Sequence, residues 1–220
     1  MRWTPGGPSD DLEDRRGERA GPGRGVGGGS GIRIGIGGIA VLFVLSMLTG
    51  QNFLALLGPL LGDGGTGYDN GSEAPAARPA SPADDQMVQF VSFVLDDAQD
   101  VWTKLLPATG HEYRHAKLVL FTDTVRSGCG FAESAMGPFY CPADEKVYVD
   151  LGFYQELRRR FGAPGDFAQA YVLAHEIGHH VQQIMGISTK VHQLQQTNPD
   201  QANPLSVRLE LQADCLAGVW

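Results

Sequence analysis

Apolar residues recur at helical spacing in the segment that follows residue 81. Ser81 and Pro82 precede them, and this pair is typical of a helix start with serine as the cap and proline at the first helical position. The period predicts one long helix that ends before Pro107. We expect its apolar face to lie in the core, and that face consists of Met87, Val88, Phe90, Val91, Val94, Leu95, Ala98, Val101, Trp102 and Leu105.

Shorter apolar runs follow this helix, and their length favours strands. Residues 117–124 predict one strand, and residues 139–141 and 147–150 predict two more that are joined by a tight turn. Residues 153–161 predict a short helix. Helices are therefore mixed with short strands, and the pattern predicts an α+β domain over residues 84–220.

Two helix starts appear in the last third of the chain. Asp166, with Gln169 three positions later, resembles a capping box and predicts a helix that continues to Met185 and stops at Gly186. Asn203 and Pro204 predict another start, and the helix that they begin is still apolar at the last residue. The end inside a helix predicts that the sequence is a C-terminally truncated piece of a longer domain.

The N-terminal third has a different character. Residues 1–31 are rich in Gly, Pro, Asp and Arg without an apolar period, which predicts a disordered tail. Residues 34–62 carry no charge, and we expect a transmembrane helix over residues 32–61, followed by a flexible linker over 62–83. The alternative, a cleaved signal peptide, has a shorter apolar core that lies nearer the N-terminus.

Basic residues lie mainly before the uncharged stretch, and this asymmetry predicts the orientation. Arg78 is the only basic residue between that stretch and Lys104, whereas several arginines precede it, among them Arg15, Arg16, Arg19, Arg24 and Arg33. The positive-inside rule then predicts a single-pass protein with a cytoplasmic N-terminus and the folded domain outside the cytoplasm. The formal net charge is −8, without a basic stripe, which argues against a nucleic-acid partner.

The strongest chemical signal is His-Glu-x-x-His at residues 175–179. Residues four apart lie on one face of a helix, so His175 and His179 can meet one metal ion. Glu176 lies between them and is placed to act on water held by that ion. The motif therefore predicts a catalytic zinc site with Glu176 as the base.

A catalytic zinc site needs a third protein ligand. The candidates are His180, His192, Cys215, Glu210 and Asp214. His180 faces away from His175 on the helix, which favours a surface position or a contact behind the ligands. His192 stays open, because it lies in a polar stretch. Glu210 and Asp214 share one face of a mostly apolar helix, so Glu210 could bind the metal while Asp214 accepts a hydrogen bond from a ligating histidine.

Two strings carry a resemblance to a known family. GDFAQAYVLAHEIGHHVQ at residues 165–182 and ELQADCLAGVW at 210–220 resemble the bacterial putative neutral zinc metallopeptidase family, a gluzincin-like group with HExxH and a later ExxxD. The resemblance implies a zincin-like fold, zinc ligands His175, His179 and Glu210, and catalytic Glu176. It does not supply a substrate. It also implies a chain that continues past Trp220.

The three cysteines allow two interpretations. In a domain outside the cytoplasm, Cys129 and Cys141 are expected to form a disulfide. The alternative is Cys129 as a zinc ligand, as in peptide deformylases, which are cytosolic. Cys215 is expected to be a small buried residue without a special role.

These observations together predict a membrane-anchored, Zn²⁺-dependent metallopeptidase. It would hydrolyse peptide bonds of a peptide or protein substrate with a zinc-bound water that Glu176 activates. We expect residues 147–150 to form the edge strand that binds substrate by strand pairing. The alternatives are a non-catalytic zinc-binding or scaffolding membrane protein and a zinc hydrolase that acts on non-peptide bonds.

Overall fold

The computed structural model describes residues 3–18, 82–154, 157 and 166–220. Its main sheet has four strands in the order β1-β2-β6-β5, namely β1 (Leu12–Asp14), β2 (Lys117–Phe121), β6 (Lys146–Asp150) and β5 (Phe139–Cys141). β2 runs parallel to both of its neighbours, whereas β5 is antiparallel to β6.

The two faces of β2 contact different partners because successive side chains of a strand point to opposite faces. Leu118 and Leu120 belong to the core that the helices cover. Val119 and Phe121 belong to a second cluster, under the antiparallel hairpin of β3 (Thr124–Ser127) and β4 (Gly130–Glu133). The sheet is therefore a layer between helices and a hairpin.

Four α-helices are described: α1 (Pro82–Leu105), α2 (Asp166–Ile184), α3 (Ile187–Thr197) and α4 (Ala202–Val219). Residues 151–154 are also helical, and 3-10 turns lie at Leu106–Thr109, Ser134–Met136 and Pro199–Gln201. α2 packs against α1, α3, α4 and β5. Eleven of its residues are buried, including His175 and Glu176, so the functional helix crosses the interior of the domain.

The mixed α+β prediction is confirmed. The predicted edge strand at 147–150 is wrong, because β6 has strand neighbours on both sides and β5 forms the edge. The polar stretch around His192 forms helix α3. Most of the predicted helix 153–161 lies outside the described residues.

The N-terminal predictions have separate outcomes. Disorder over residues 1–31 is wrong for residues 3–18, which form β1 and pack against the domain, with Trp3 against Phe90. Within the described ranges, no helix is both long and apolar enough to cross a membrane. The predicted transmembrane helix 32–61 and nearly all of the linker 62–83 lie outside those ranges.

Candidate metal centre

Helix α2 places the HExxH side chains in the interior of the domain. The rings of His175 and His179 lie 4.8 Å apart, centroid to centroid, as expected for side chains one turn apart on a helix. His175 and Glu176 are 6% and 3% exposed. Polar groups buried to this degree need partners, and the surrounding helices supply them.

Helix α4 brings Glu210 to the two histidines. Its Oε2 atom lies 3.3 Å from His175 Nε2 and 3.2 Å from His179 Nε2. The approach depends on Gly178, because a Cβ atom at this position would lie 2.8 Å from the Ala213 carbonyl oxygen. The missing side chain therefore lets α2 and α4 pack closely enough for Glu210 to reach the histidines.

The three side chains offer ligand atoms that all lie within 4.8 Å of one another. Glu210 Oε2 is buried and has no hydrogen-bond partner, although two ring nitrogens face it. Burial raises the pKa of Glu210, but the adjacent imidazoles outweigh it and hold the pKa at about 2, so the carboxylate is charged. Two imidazoles and one carboxylate around an unpartnered buried oxygen fit the donor set of a catalytic zinc site.

His175 is oriented by a carboxylate behind it. Its Nδ1 lies 2.8 Å from Asp214 Oδ1, and an ionised carboxylate only accepts, so Nδ1 donates. The hydroxyl of Tyr171 donates to the same oxygen at 2.6 Å. These contacts leave Nε2 as the ring atom that faces Glu210, and Nε2 can bind a metal once it has lost its proton. Asp214 thus lies where the sequence placed it, behind a ligand candidate.

His179 is oriented by an amide rather than a carboxylate. Gln182 donates from Nε2 to the Leu209 carbonyl at 2.7 Å, which fixes its Oε1 as the atom that faces His179. Oε1 lies 2.9 Å from His179 Nδ1, so Nδ1 donates here too. Gln182 is fully buried and links α2 to α4. Both histidines therefore direct Nε2 to the same point. Burial lowers the pKa of both rings, but the neighbouring carboxylates outweigh it and raise the pKa, so a metal would displace the Nε2 protons on binding.

Glu176 stays outside the three-ligand cluster. Burial is the largest influence on its carboxylate and raises the pKa above the ordinary value of 4.5, although the two histidines and the backbone N–H of Tyr140 in β5 act to lower it. A carboxylate with a raised pKa is better suited to carry a proton at neutral pH.

His180 ties the edge strand to α2. Its Nε2 donates to the Arg114 carbonyl at 2.6 Å, so Nδ1 accepts from the Tyr140 hydroxyl at 2.9 Å. Burial lowers the pKa of His180, which keeps the ring neutral. Of the two positions expected for His180, the surface position is wrong, because the residue is fully buried. Tyr140 thus contacts α2 through its side chain, and its backbone N–H faces Glu176.

The other sequence candidates lie apart from this cluster. His192 is exposed on α3, and Cys215 is exposed on α4 rather than buried as expected. Cys129 and Cys141 form a disulfide with a Cα–Cα distance of 5.8 Å. The alternative of Cys129 as a zinc ligand is therefore wrong.

Sequence reasoning missed Tyr171, Gln182 and Tyr140. Tyr171 lies four residues before His175, and Gln182 lies three residues after His179, so helical spacing puts both on the face of the ligands. Helical spacing in the sequence could therefore have identified both residues as neighbours of the ligands. The position of Tyr140 depends on the pairing of β5 and on its packing against α2, and no local pattern shows this.

An α+β domain that brings a His-Glu-x-x-His helix and a glutamate from a neighbouring helix to one point has the arrangement of a zinc metallopeptidase. Comparison with known proteins agrees with this class. The family model described as "Putative neutral zinc metallopeptidase" matches residues 1–220, and the chain belongs to this family.

Two kinds of relative illustrate the match. "Uncharacterized protein YpfJ" of Escherichia coli strain K12 is 46% identical over 224 residues, which cover 100% of this chain and 74% of that protein. "Uncharacterized protein Rv2575" of Mycobacterium tuberculosis strain H37Rv is 47% identical over 121 residues, which cover 54% of this chain and 39% of that protein. No solved structure matches the chain significantly.

Proposed function

We propose that this protein is a zinc-dependent peptidase that hydrolyses peptide bonds with Glu176 as the catalytic base. The observation that carries the proposal is the arrangement of four side chains, of which three are buried and His179 is partly buried. His175, His179 and Glu210 converge on one point, while Glu176 lies beside them with its carboxylate outside the cluster. A purely structural metal site does not need an additional carboxylate-bearing side chain such as Glu176, whose burial costs free energy of desolvation.

Three residues would hold the zinc ion through His175 Nε2, His179 Nε2 and Glu210 Oε2. When bound there, zinc supplies Lewis acidity that polarises the scissile carbonyl and lowers the pKa of water. Asp214 and Gln182 fix the two rings so that little reorientation is needed on binding.

Glu176 would take a proton from the attacking water and pass it to the leaving amine. The backbone N–H of Tyr140 faces this carboxylate and favours its charged form, an influence smaller than that of burial. Because burial raises the Glu176 pKa, the protonated form that must exist between the two transfers costs less than it would for a carboxylate in water.

The edge strand β5 is the proposed substrate-binding element. In the described part of the sheet β5 has a strand neighbour on one side only, and its Tyr140 N–H points to Glu176. The free side of β5 therefore faces the catalytic carboxylate. An extended peptide that pairs with this side would bring its backbone carbonyl groups next to the site.

The decisive experiment replaces Glu176 with Gln and measures zinc content together with hydrolysis of unfolded casein. Glu176→Gln keeps the size of the side chain but cannot take a proton. We expect full zinc occupancy, an unchanged fold and a loss of turnover of about 10²–10⁴-fold. Glu112→Gln is the matched control, because Glu112 is exposed on the loop before β2.

Two outcomes would contradict the proposal. If Glu176→Gln retains activity within about tenfold of the wild type, Glu176 is not the base. If the wild type binds zinc and cleaves no peptide in a broad screen, the non-catalytic zinc-binding alternative is favoured.

A further inference from the structure

The N-terminal strand β1 is an integral part of the sheet. Its register pairs Leu12 with Leu118 and Asp14 with Leu120. Backbone hydrogen bonds of 2.8 Å flank the strand at both ends, from Leu118 N to Asp11 O and from Arg15 N to Leu120 O. These bonds join residues more than 100 positions apart in one chain.

Charged side chains hold β1 against residues of the domain. Asp11 pairs with Lys117 at 2.7 Å, and Glu13 pairs with Lys146 at 2.6 Å. Fully buried Gln99 on α1 donates to Asp11 at 3.0 Å. Removal of β1 would leave this buried amide without that acceptor, which is costly.

β1 also covers the side of β2. Leu118, Val119 and Leu120 are fully buried with β1 in place. Without it, β2 would present unpaired backbone groups and apolar side chains at the edge of the sheet, which is an aggregation hazard. The domain therefore needs residues 3–18 on its own side of any membrane.

We infer that residues 3–18 and 82–220 occupy one compartment, outside the cytoplasm. One crossing would put β1 and β2 on opposite sides of the bilayer and forbid their pairing. The Cys129–Cys141 disulfide is suited to an oxidising compartment.

This inference differs from the orientation that the arginine asymmetry predicts. The positive-inside rule counts arginines and lysines in segments that flank a membrane span. Arg15 and Arg16 contact Glu13 and Asp14 in the folded segment. Because that segment pairs with the domain, its arginines lie on the same side of a membrane as the domain.

Cysteine labelling in spheroplasts tests the inference without reference to peptidase activity. In a full-length Cys215→Ser background, Glu18→Cys reports on the N-terminal segment and Glu112→Cys reports on the domain, because both positions are exposed. The probe is a membrane-impermeant maleimide. The background without an added cysteine gives the baseline, and lysed spheroplasts give the maximum labelling.

We expect both cysteines to label in intact spheroplasts to the extent seen after lysis. Labelling of the domain with protection of Glu18→Cys would overturn the inference and restore a single crossing. Protection of both would overturn the assignment to the outside. If Glu18→Cys does not accumulate, Gly17→Cys replaces it, because a Cβ atom at Gly17 meets nothing within 4 Å.

Discussion

Substitution of Gly178 by alanine tests whether the close contact of α2 and α4 forms the metal site. The added Cβ would lie 2.8 Å from the Ala213 carbonyl oxygen and 3.3 Å from its Cα. Ordinary contact begins near 3.4 Å, so the helices must separate by about 0.6 Å at this point. Glu210 lies three residues before Ala213 on α4, and its carboxylate moves with that backbone.

The effect on zinc binding should exceed the effect on folding. Metal–ligand distances tolerate deviations of about 0.2 Å, which is less than the expected shift. Overpacking costs about 1–3 kcal/mol, whereas alanine in place of glycine in a helix gains up to about 1 kcal/mol. We therefore expect a loss of up to about 2 kcal/mol in the free energy of unfolding of the zinc-free protein, and a fall in zinc affinity of at least about tenfold.

Chelator competition measures the affinity, and urea unfolding of the zinc-free protein measures the stability. Gly218→Ala is the matched control, because Gly218 also lies in a helix but a Cβ there meets no atom within 4 Å. This control should bind zinc like the wild type. The reasoning is refuted if Gly178→Ala behaves like Gly218→Ala in both measurements.

Two further predictions concern contacts outside the ligands. Gln182→Leu should lower zinc affinity about 10–100-fold, because it removes the hydrogen-bond acceptor that orients His179. The control Gln183→Leu, at the half-exposed neighbouring position, should leave zinc affinity unchanged. Equal zinc affinities of the two variants would exclude a positioning role for Gln182. Acid should weaken the pairing of β1 with β2. Burial raises the pKa of Asp11, but its hydrogen bonds to Lys117 and His115 outweigh burial and bring the pKa below the ordinary value of 3.8. The stabilisation that charged Asp11 contributes is therefore present above pH 3.8 and is lost as the pH falls through the lower pKa of the folded state. Hydrogen-exchange protection of the Leu118 amide, which donates to the Asp11 carbonyl, should fall as the pH drops below 3.8. In Asp11→Asn this protection should depend less on pH. Identical pH profiles for the wild type and Asp11→Asn would count against the prediction.

The candidate metal site was the most predictable part of the molecule. The spacing of His175 and His179 and the shared face of Glu210 and Asp214 follow from helix geometry alone. The choice of Glu210 over the other candidates came from the family resemblance. Helical periodicity could not place α4 against α2, because that contact depends on Gly178 and Ala213, which lie far apart in the sequence.

The N-terminal strand could not be predicted from local pattern. β1 has only three residues, and Leu12 is its single apolar side chain. Its stability comes from pairing with β2 and from ion pairs with Lys117 and Lys146. An isolated Leu between charged residues has the composition of a disordered tail, and only the distant partners show otherwise.

The edge strand was mispredicted for a related reason. β5 and β6 are both short apolar runs on either side of one turn, and alternation does not show which of them has a second neighbour. β6 became central because β2 joined it in parallel, and a parallel pairing links residues that are distant in the chain. The order of strands is therefore a property of the whole domain.

The two edges of the sheet differ in a way that fits the proposed chemistry. At one edge β1 pairs with β2 and presents acidic and basic side chains, which is how proteins commonly protect a strand from unwanted pairing. At the other edge β5 keeps one side free, and the Tyr140 N–H on that side is directed to Glu176. Under the proposed function, a peptide that pairs with β5 would lie where the Glu176 carboxylate can act on it. Loss of β1 would replace the charged edge with the apolar edge of β2, so the N-terminal strand protects the sheet from unproductive pairing.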